Sequence, residues 1–262
     1  MFHEPPKAFI YSAYRIETTH TSIDGSSISG SATGFILEIK KSTPYIITNR
    51  HVIDLNYRRV DNKYKDYKLT DLKITGRRSD DTVYTFRLHP DAGFYLHSNS
   101  ENDLVIIQAN IYYDNPAEFS KGFHWHFGME HLPPPSFFES QLLPFDIVCY
   151  SGFPDQHDKF GNRPILRSGR ISSDPKYDYS WDKTHHGSCV AYEGFSFSGS
   201  SGSPVFAPPR GLPSIPDSRH GFLVGVNAGH VPNHPSGHSG ISYFYKSSVI
   251  QEIISQNHLG GS

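Results

Sequence analysis

The chain of 262 residues, 36% hydrophobic and 14% aromatic, is long enough to bury one large β domain or two small ones. Charged residues make up 19% and the formal net charge is -2, which gives no electrostatic ground for nucleic acid or an anionic membrane as partner. No apolar stretch approaches the ~18 residues of a membrane span, and the N-terminal MFHEPPKAFIYSAYRIETT lacks the basic and apolar regions of a secretory signal, so a cytoplasmic protein is expected.

With 18 Phe, 16 Tyr, 22 Gly and 19 Pro, the composition suits many short strands joined by tight turns. Strand patterns fall at Phe9–Glu17, Ser29–Ile39, Pro44–Thr48, Asp71–Thr75, Thr82–His89 and Asp103–Ala109. Residues 111–143, rich in aromatic residues, His and Pro, read as a connector, because the run Leu132-Pro133-Pro134-Pro135 cannot enter a sheet interior. Strands resume at Phe145–Ser151, Pro164–Ser172, Ser188–Glu193, Ser203–Phe206, Gly221–Asn227 and Gly240–Lys246. Val249, Ile250, Ile253 and Ile254 then mark one face of a short Ser-capped helix. The expected plan is all-β: a barrel over residues 1–110, the connector, a second barrel over 144–246, and a helix and tail over 247–262. Each barrel is expected to hold six antiparallel strands. Cys149 and Cys189, each in an apolar run, are expected to be reduced core thiols rather than a bridge.

Three strings carry chemistry. In Tyr45-Ile46-Ile47-Thr48-Asn49-Arg50-His51, an apolar strand ends in a polar turn that delivers His51. A lone histidine there would more often be structural. In Asn102-Asp103-Leu104-Val105-Ile106-Ile107, an acid abuts four aliphatics, so Asp103 should sit at the edge of a buried strand, where a carboxylate needs a partner. Gly199-Ser200-Ser201-Gly202-Ser203-Pro204 presents a serine between glycines. Such a run is often a plain loop, but it also suits a nucleophile. The first glycine lets backbone N–H groups of Gly199 and Ser201 face a developing oxyanion, and the second leaves the hydroxyl open. The order His…Asp…Ser, divided between the two strand-rich halves, favours the second reading. It requires the imidazole to come within hydrogen-bonding distance of the hydroxyl.

With Ala32-Thr33-Gly34-Phe35-Ile36, Ser151-Gly152-Phe153-Pro154, Gly169-Arg170-Ile171-Ser172 and Leu223-Val224-Gly225-Val226-Asn227, these strings resemble the trypsin-like peptidases of bacterial type. That group includes the glutamyl endopeptidases and the high-temperature-requirement proteases, and the resemblance runs from about Gly30 to Ile254. It implies a chymotrypsin-like fold and a serine endopeptidase, with Ser201 as nucleophile, His51 as general base and Asp103 orienting it. It further implies that protein or peptide is the substrate and that no cofactor is needed.

The same resemblance places Phe195 and Ser196 at the base of the primary specificity pocket, residues 226–230 along one wall, and Gly240 to Ser242 behind it. Backbone from Asn227 through Ala228 to Gly229 would pair with an extended substrate. No acid stands at the base, so Arg or Lys preference is disfavoured; Asn227 replaces the histidine of glutamyl endopeptidases; an apolar or small uncharged P1 residue is expected. Ser200 stands where zymogen-activated trypsins carry an Asp, so activity without N-terminal processing is expected. No PDZ-like domain is expected. An acyl hydrolase using the same three residues, or a non-catalytic binding protein on the same fold, are the alternatives. Among the 16 histidines, His124, His126 and His131, and His230, His234 and His238, lack nearby Cys or acidic ligands, so no metal is expected. His185, His186 and Trp181 are expected on a loop near the cleft.

Overall fold

A computed structural model describes residues 7–40, 43–59, 61, 63–89, 92–109, 111–113, 122–184, 186–211, 219–232 and 237–260. The first half forms one sheet from β1 (Ala13–Thr21), β2 (Ser27–Lys40), β3 (Thr43–Thr48), β4 (Lys68–Arg77), β5 (Val83–Leu88), β6 (Phe94–Leu96), β7 (Val105–Gln108), β8 (Ile111–Tyr113) and β9 (Phe127–Gly128). Its order is β6-β7-β3-β2-β1-β4-β5-β8, with β9 added in parallel to β2; the other pairs are antiparallel. The period of two is visible in β1, where Tyr14, Ile16, Thr18 and His20 are buried and the residues between them are half-exposed.

Among the described residues the first sheet thus has nine strands where six were expected. β6, β8 and β9 are two or three residues long. They join by backbone pairing and leave no alternation to read. A second difference lies at the start: residues expected to open the first strand form a helical turn, α1 (Lys7–Tyr11), and β1 begins only at Ala13. The Ser12 amide and hydroxyl both bond back to the Ala8 carbonyl, which closes that turn.

The second half is a closed six-stranded antiparallel barrel of β10 (Ile147–Gly152), β11 (Ile165–Ile171), β12 (Cys189–Glu193), β13 (Pro204–Ala207), β14 (Phe222–His230) and β15 (Ile241–Lys246), in the order β10-β11-β12-β15-β14-β13. Two single turns, α2 (Arg50–Ile53) and α3 (Phe137–Ser140), interrupt the strands, and beyond the barrel α4 (Ser247–Gln256) buries Val249, Ile250, Ile253 and Ile254, the face its spacing predicts. Each half has its own apolar core. A third core is shared: Phe35, Leu37 and Ile47 of the first sheet meet Phe206, Leu223 and Val226 of the barrel, and α4 closes over them. The connector contributes to it as well. Phe127 is 2% exposed, and its ring packs on Phe35 and Phe206. Residues 114–121 of the connector lie outside the described residues. Among the described residues no helix is long and apolar enough to cross a membrane.

Candidate active site

β3 ends at Thr48, and the extended Asn49 turns the chain into the single helical turn α2 (Arg50–Ile53), which presents His51. Asp103 stands two residues before β7 and is 6% exposed. The Asn49 amide donates to the Asp103 carbonyl at 2.8 Å, so the fully buried Asn49 ties the two segments together. His51 Nδ1–H donates to Asp103 Oδ2 at 2.5 Å, and the His51 backbone N–H donates to Oδ1 at 2.9 Å. This contact fixes the tautomer that leaves Nε2 with its lone pair facing outward.

Burial of His51 works against its imidazolium. The charge of Asp103 and its hydrogen bond outweigh that cost, even against the opposing guanidinium of Arg58, so the imidazole pKa lies above 6.5.

The serine loop is shaped by two glycines in the left-handed region, Gly199 (φ 88°) and Gly202 (φ 85°). A Cβ on Gly199 would stand 2.4 Å from the Phe153 carbonyl, and one on Gly202 1.9 Å from the Thr33 carbonyl. No side chain fits at either place. Thr33 of β2 docks the loop: its hydroxyl donates to the Gly199 carbonyl at 2.7 Å and accepts the Phe153 N–H at 2.9 Å, while its N–H reaches the Ser201 carbonyl at 2.8 Å. Thr48, three residues before His51, donates to the Thr33 carbonyl at 2.8 Å. The loop therefore sits against the strands that carry the histidine.

The N–H groups of Gly199 and Ser201 make no hydrogen bond to any described residue. Ser201 Oγ donates to the Ala228 carbonyl at 3.2 Å, and no hydrogen bond among the described residues joins it to His51. The imidazole–hydroxyl bond expected from the sequence is not made in this conformation.

The expected pocket residues form one polar network. The fully buried Asn227 accepts the Tyr192 hydroxyl at 2.7 Å and donates to Ser196 Oγ at 2.8 Å and the Ser200 carbonyl at 3.0 Å. The Ser196 N–H donates to Ser242 Oγ at 3.0 Å, and that hydroxyl donates to the Gly194 carbonyl. Phe195 is 53% exposed; its ring packs on His238, which stacks on His230 at 4.3 Å. Gly240, at φ 85°, donates its N–H to His238 Nδ1.

One expectation is corrected. The Asn227 N–H donates to the Ser203 carbonyl and its carbonyl accepts the Gly202 N–H, both at 2.8 Å, so its backbone is not open to substrate. A register shift between Asn227 and Gly229 turns Ala228 toward Ser201, a bulge that re-aims the strand beside the site. Trp181 packs on Tyr243 at 4.6 Å; His185 and His234 lie outside the described residues. Among the described residues no three His, Cys, Asp or Glu side chains come together as a metal site.

The sequence did not single out Asn49, Thr48 or Tyr192. Their signal was faint: a polar residue at the end of an apolar strand, and a tyrosine inside one.

Residues 32–211 match the family model of the trypsin-like peptidase domain, more than half of the chain. The chain belongs to that family, and it is a serine endopeptidase of chymotrypsin-like fold. Among solved structures it is similar to Deg5, with a TM-score of 0.52 and 16% identity over 94% of this chain and 88% of that one. It is also similar to the thermostable serine protease AL20 from an extremophilic microorganism, with a TM-score of 0.56 and 11% identity over 95% of this chain and 98% of that one. At these identities the likeness is one of fold. No match was found among curated proteins.

Proposed function

We propose that Ser201, His51 and Asp103 hydrolyse peptide bonds through an acyl-enzyme. Ser201 Oγ attacks the scissile carbonyl carbon while His51 Nε2 takes its proton. The N–H groups of Gly199 and Ser201 receive the oxyanion. Collapse expels the amine, which leaves with the proton returned by His51. Water, deprotonated in turn by His51, then releases the acyl group and restores Ser201. Attack requires the hydroxyl to leave the Ala228 carbonyl and turn to His51; such contacts are commonly loose before substrate binds.

The observation that carries this reading is the 2.5 Å bond from His51 Nδ1 to a buried carboxylate, which makes Nε2 a base rather than a donor. Ser196, Asn227 and Ser242, the residues proposed for the base of the specificity pocket, are buried and uncharged, which supports an apolar or small uncharged P1 residue. A fluorophosphonate probe, which reacts with an activated serine, tests the assignment. Labelling and amide hydrolysis are both expected to vanish in Ser201→Ala and to fall sharply in His51→Ala. Undiminished labelling of Ser201→Ala would refute it.

A further inference from the structure

We propose that a cavity at the far end of the second barrel binds a carboxylate carried on an apolar body. The cavity, of about 310 Å³, is lined by Phe145, Arg170, Pro208, Pro209, Arg210 and Arg219, with Asp146 among them. β13 separates it from the serine loop: Ser201 lies three residues before the strand starts at Pro204, and the prolines of the cavity follow its end at Ala207. A strand of four residues covers roughly 13 Å. The site is therefore distinct from the catalytic one.

Three guanidinium groups line the cavity beside one carboxylate, which only Arg210 and Arg219 reach, and Arg210 already takes both of its oxygens. Both oxygens of Asp146 accept Arg210 Nη1, at 2.7 and 2.8 Å, and Oδ2 also accepts the Leu143 N–H at 2.9 Å. Arg219 reaches Asp146 only through Nη2, at 3.4 Å, with its side chain 3% exposed. Its Nε and Nη1 are buried and have no hydrogen-bond partner among the described residues. A buried cation with unused donors calls for an anion.

The apolar half of the site is equally specific. Phe145 is 70% exposed yet holds φ at 73°, a left-handed conformation that bulky residues avoid. Its N–H is fixed to the Ile171 carbonyl at 2.9 Å, and the Arg170 guanidinium lies over its ring at 4.5 Å. Strain that keeps an aromatic ring in water beside cations points to a ligand. Guanidinium forks match a planar carboxylate, and the ring and two prolines suit an apolar neighbour. A peptide supplies such a group at its C-terminus or from an acidic side chain.

The test is an NMR titration of the full chain with three probes: N-acetyl-phenylalanine, N-acetyl-glutamyl-phenylalaninamide and N-acetyl-phenylalaninamide. The first carries its carboxylate at the terminus, the second on a side chain, and the third carries none. One or both acids are expected to shift the Ile147 and Gly211 amide signals, and which one does so identifies the source. The neutral amide is expected not to. Arg219 is buried and its loss could unfold the chain, so exposed Arg170 is the residue to change: Arg170→Gln is expected to weaken binding roughly tenfold, the loss of one charge-assisted contact. Equal binding of the neutral amide, an unchanged affinity in Arg170→Gln, shifts confined to residues 199–202, or no shift at all would overturn the proposal.

Discussion

Asp103 holds His51 at two atoms, taking the ring N–H on one carboxylate oxygen and the backbone N–H on the other. The ring can therefore neither flip nor slide without breaking a bond to the same side chain. In Asp103→Asn the amide can present a donor to Nδ1, which selects the wrong tautomer. The kcat for peptide hydrolysis is expected to fall by about 10⁴, as substitutions of this kind do, with little change in Tm. A fall of less than tenfold would show that Asp103 does not set the tautomer.

The same pair predicts a pH profile. In the proposed mechanism only neutral His51 serves as base, and its pKa is raised above 6.5, so activity is expected to rise with pH through a midpoint above that value. In Asp103→Asn the midpoint is expected to move down. The effect on stability has the opposite sense: a group whose pKa is raised on folding stabilises through its protonated form. That contribution is complete below about 6.5 and is lost as pH rises through the folded value. Tm measured against pH in Ser201→Ala, which avoids self-digestion, reads it directly. A wild-type activity midpoint at or below 6.5 would contradict the geometry.

Gly199→Ala is expected to lose at least about a hundredfold in kcat, the typical effect of one displaced oxyanion donor, because its Cβ cannot coexist with the Phe153 carbonyl. Gly202→Ala meets backbone 1.9 Å away and is expected to lower Tm as well as activity. Thermal melts and burst kinetics separate the two. Wild-type turnover in Gly199→Ala would dismiss the loop as the anion site.

Asn227→Ala removes the partner of Tyr192, Ser196 and the Ser200 carbonyl at once. A destabilisation of about 1–3 kcal/mol is expected from buried polar groups left unpaired, read by denaturant melts, together with a change in P1 profile. Neither effect appearing would mean that water fills the gap without cost.

Cys149 and Cys189 are both free. Burial pushes the Cys189 thiol up to about 12 and raises Cys149, so both are expected to resist thiol reagents at neutral pH until the chain unfolds. Rapid labelling of native protein would argue against this.

The strands that are long and alternate were legible from residues alone, as was the buried face of α4. Gly199, Gly202 and His51 declared themselves because their surroundings admit few other residues. What escaped was structure made by pairing rather than pattern. β6, β8 and β9 are too short to show a period, and Phe127 belongs to a segment that reads as linker yet lies in the shared core. Ala8, Phe9, Ile10 and Tyr11 carry apolar side chains that serve a strand or a helix equally, and the bond between Ser12 and Ala8 decides for the helix. The support of Asn227 and Asn49 was hidden for a different reason: their partners lie far along the chain, and no spacing rule reaches that distance.

Thr33 belongs to the first sheet, yet it holds the carbonyls of both Gly199 and Ser201. The backbone of the proposed nucleophile is thus held by the opposite half of the molecule. A fragment bearing only residues 144–262 would own the serine without the mould that shapes its loop, and the same would hold during synthesis before the halves dock. If Ser201 is the nucleophile, self-cleavage while the chain is still maturing would thereby be disfavoured, because its loop is held in shape only once the halves dock.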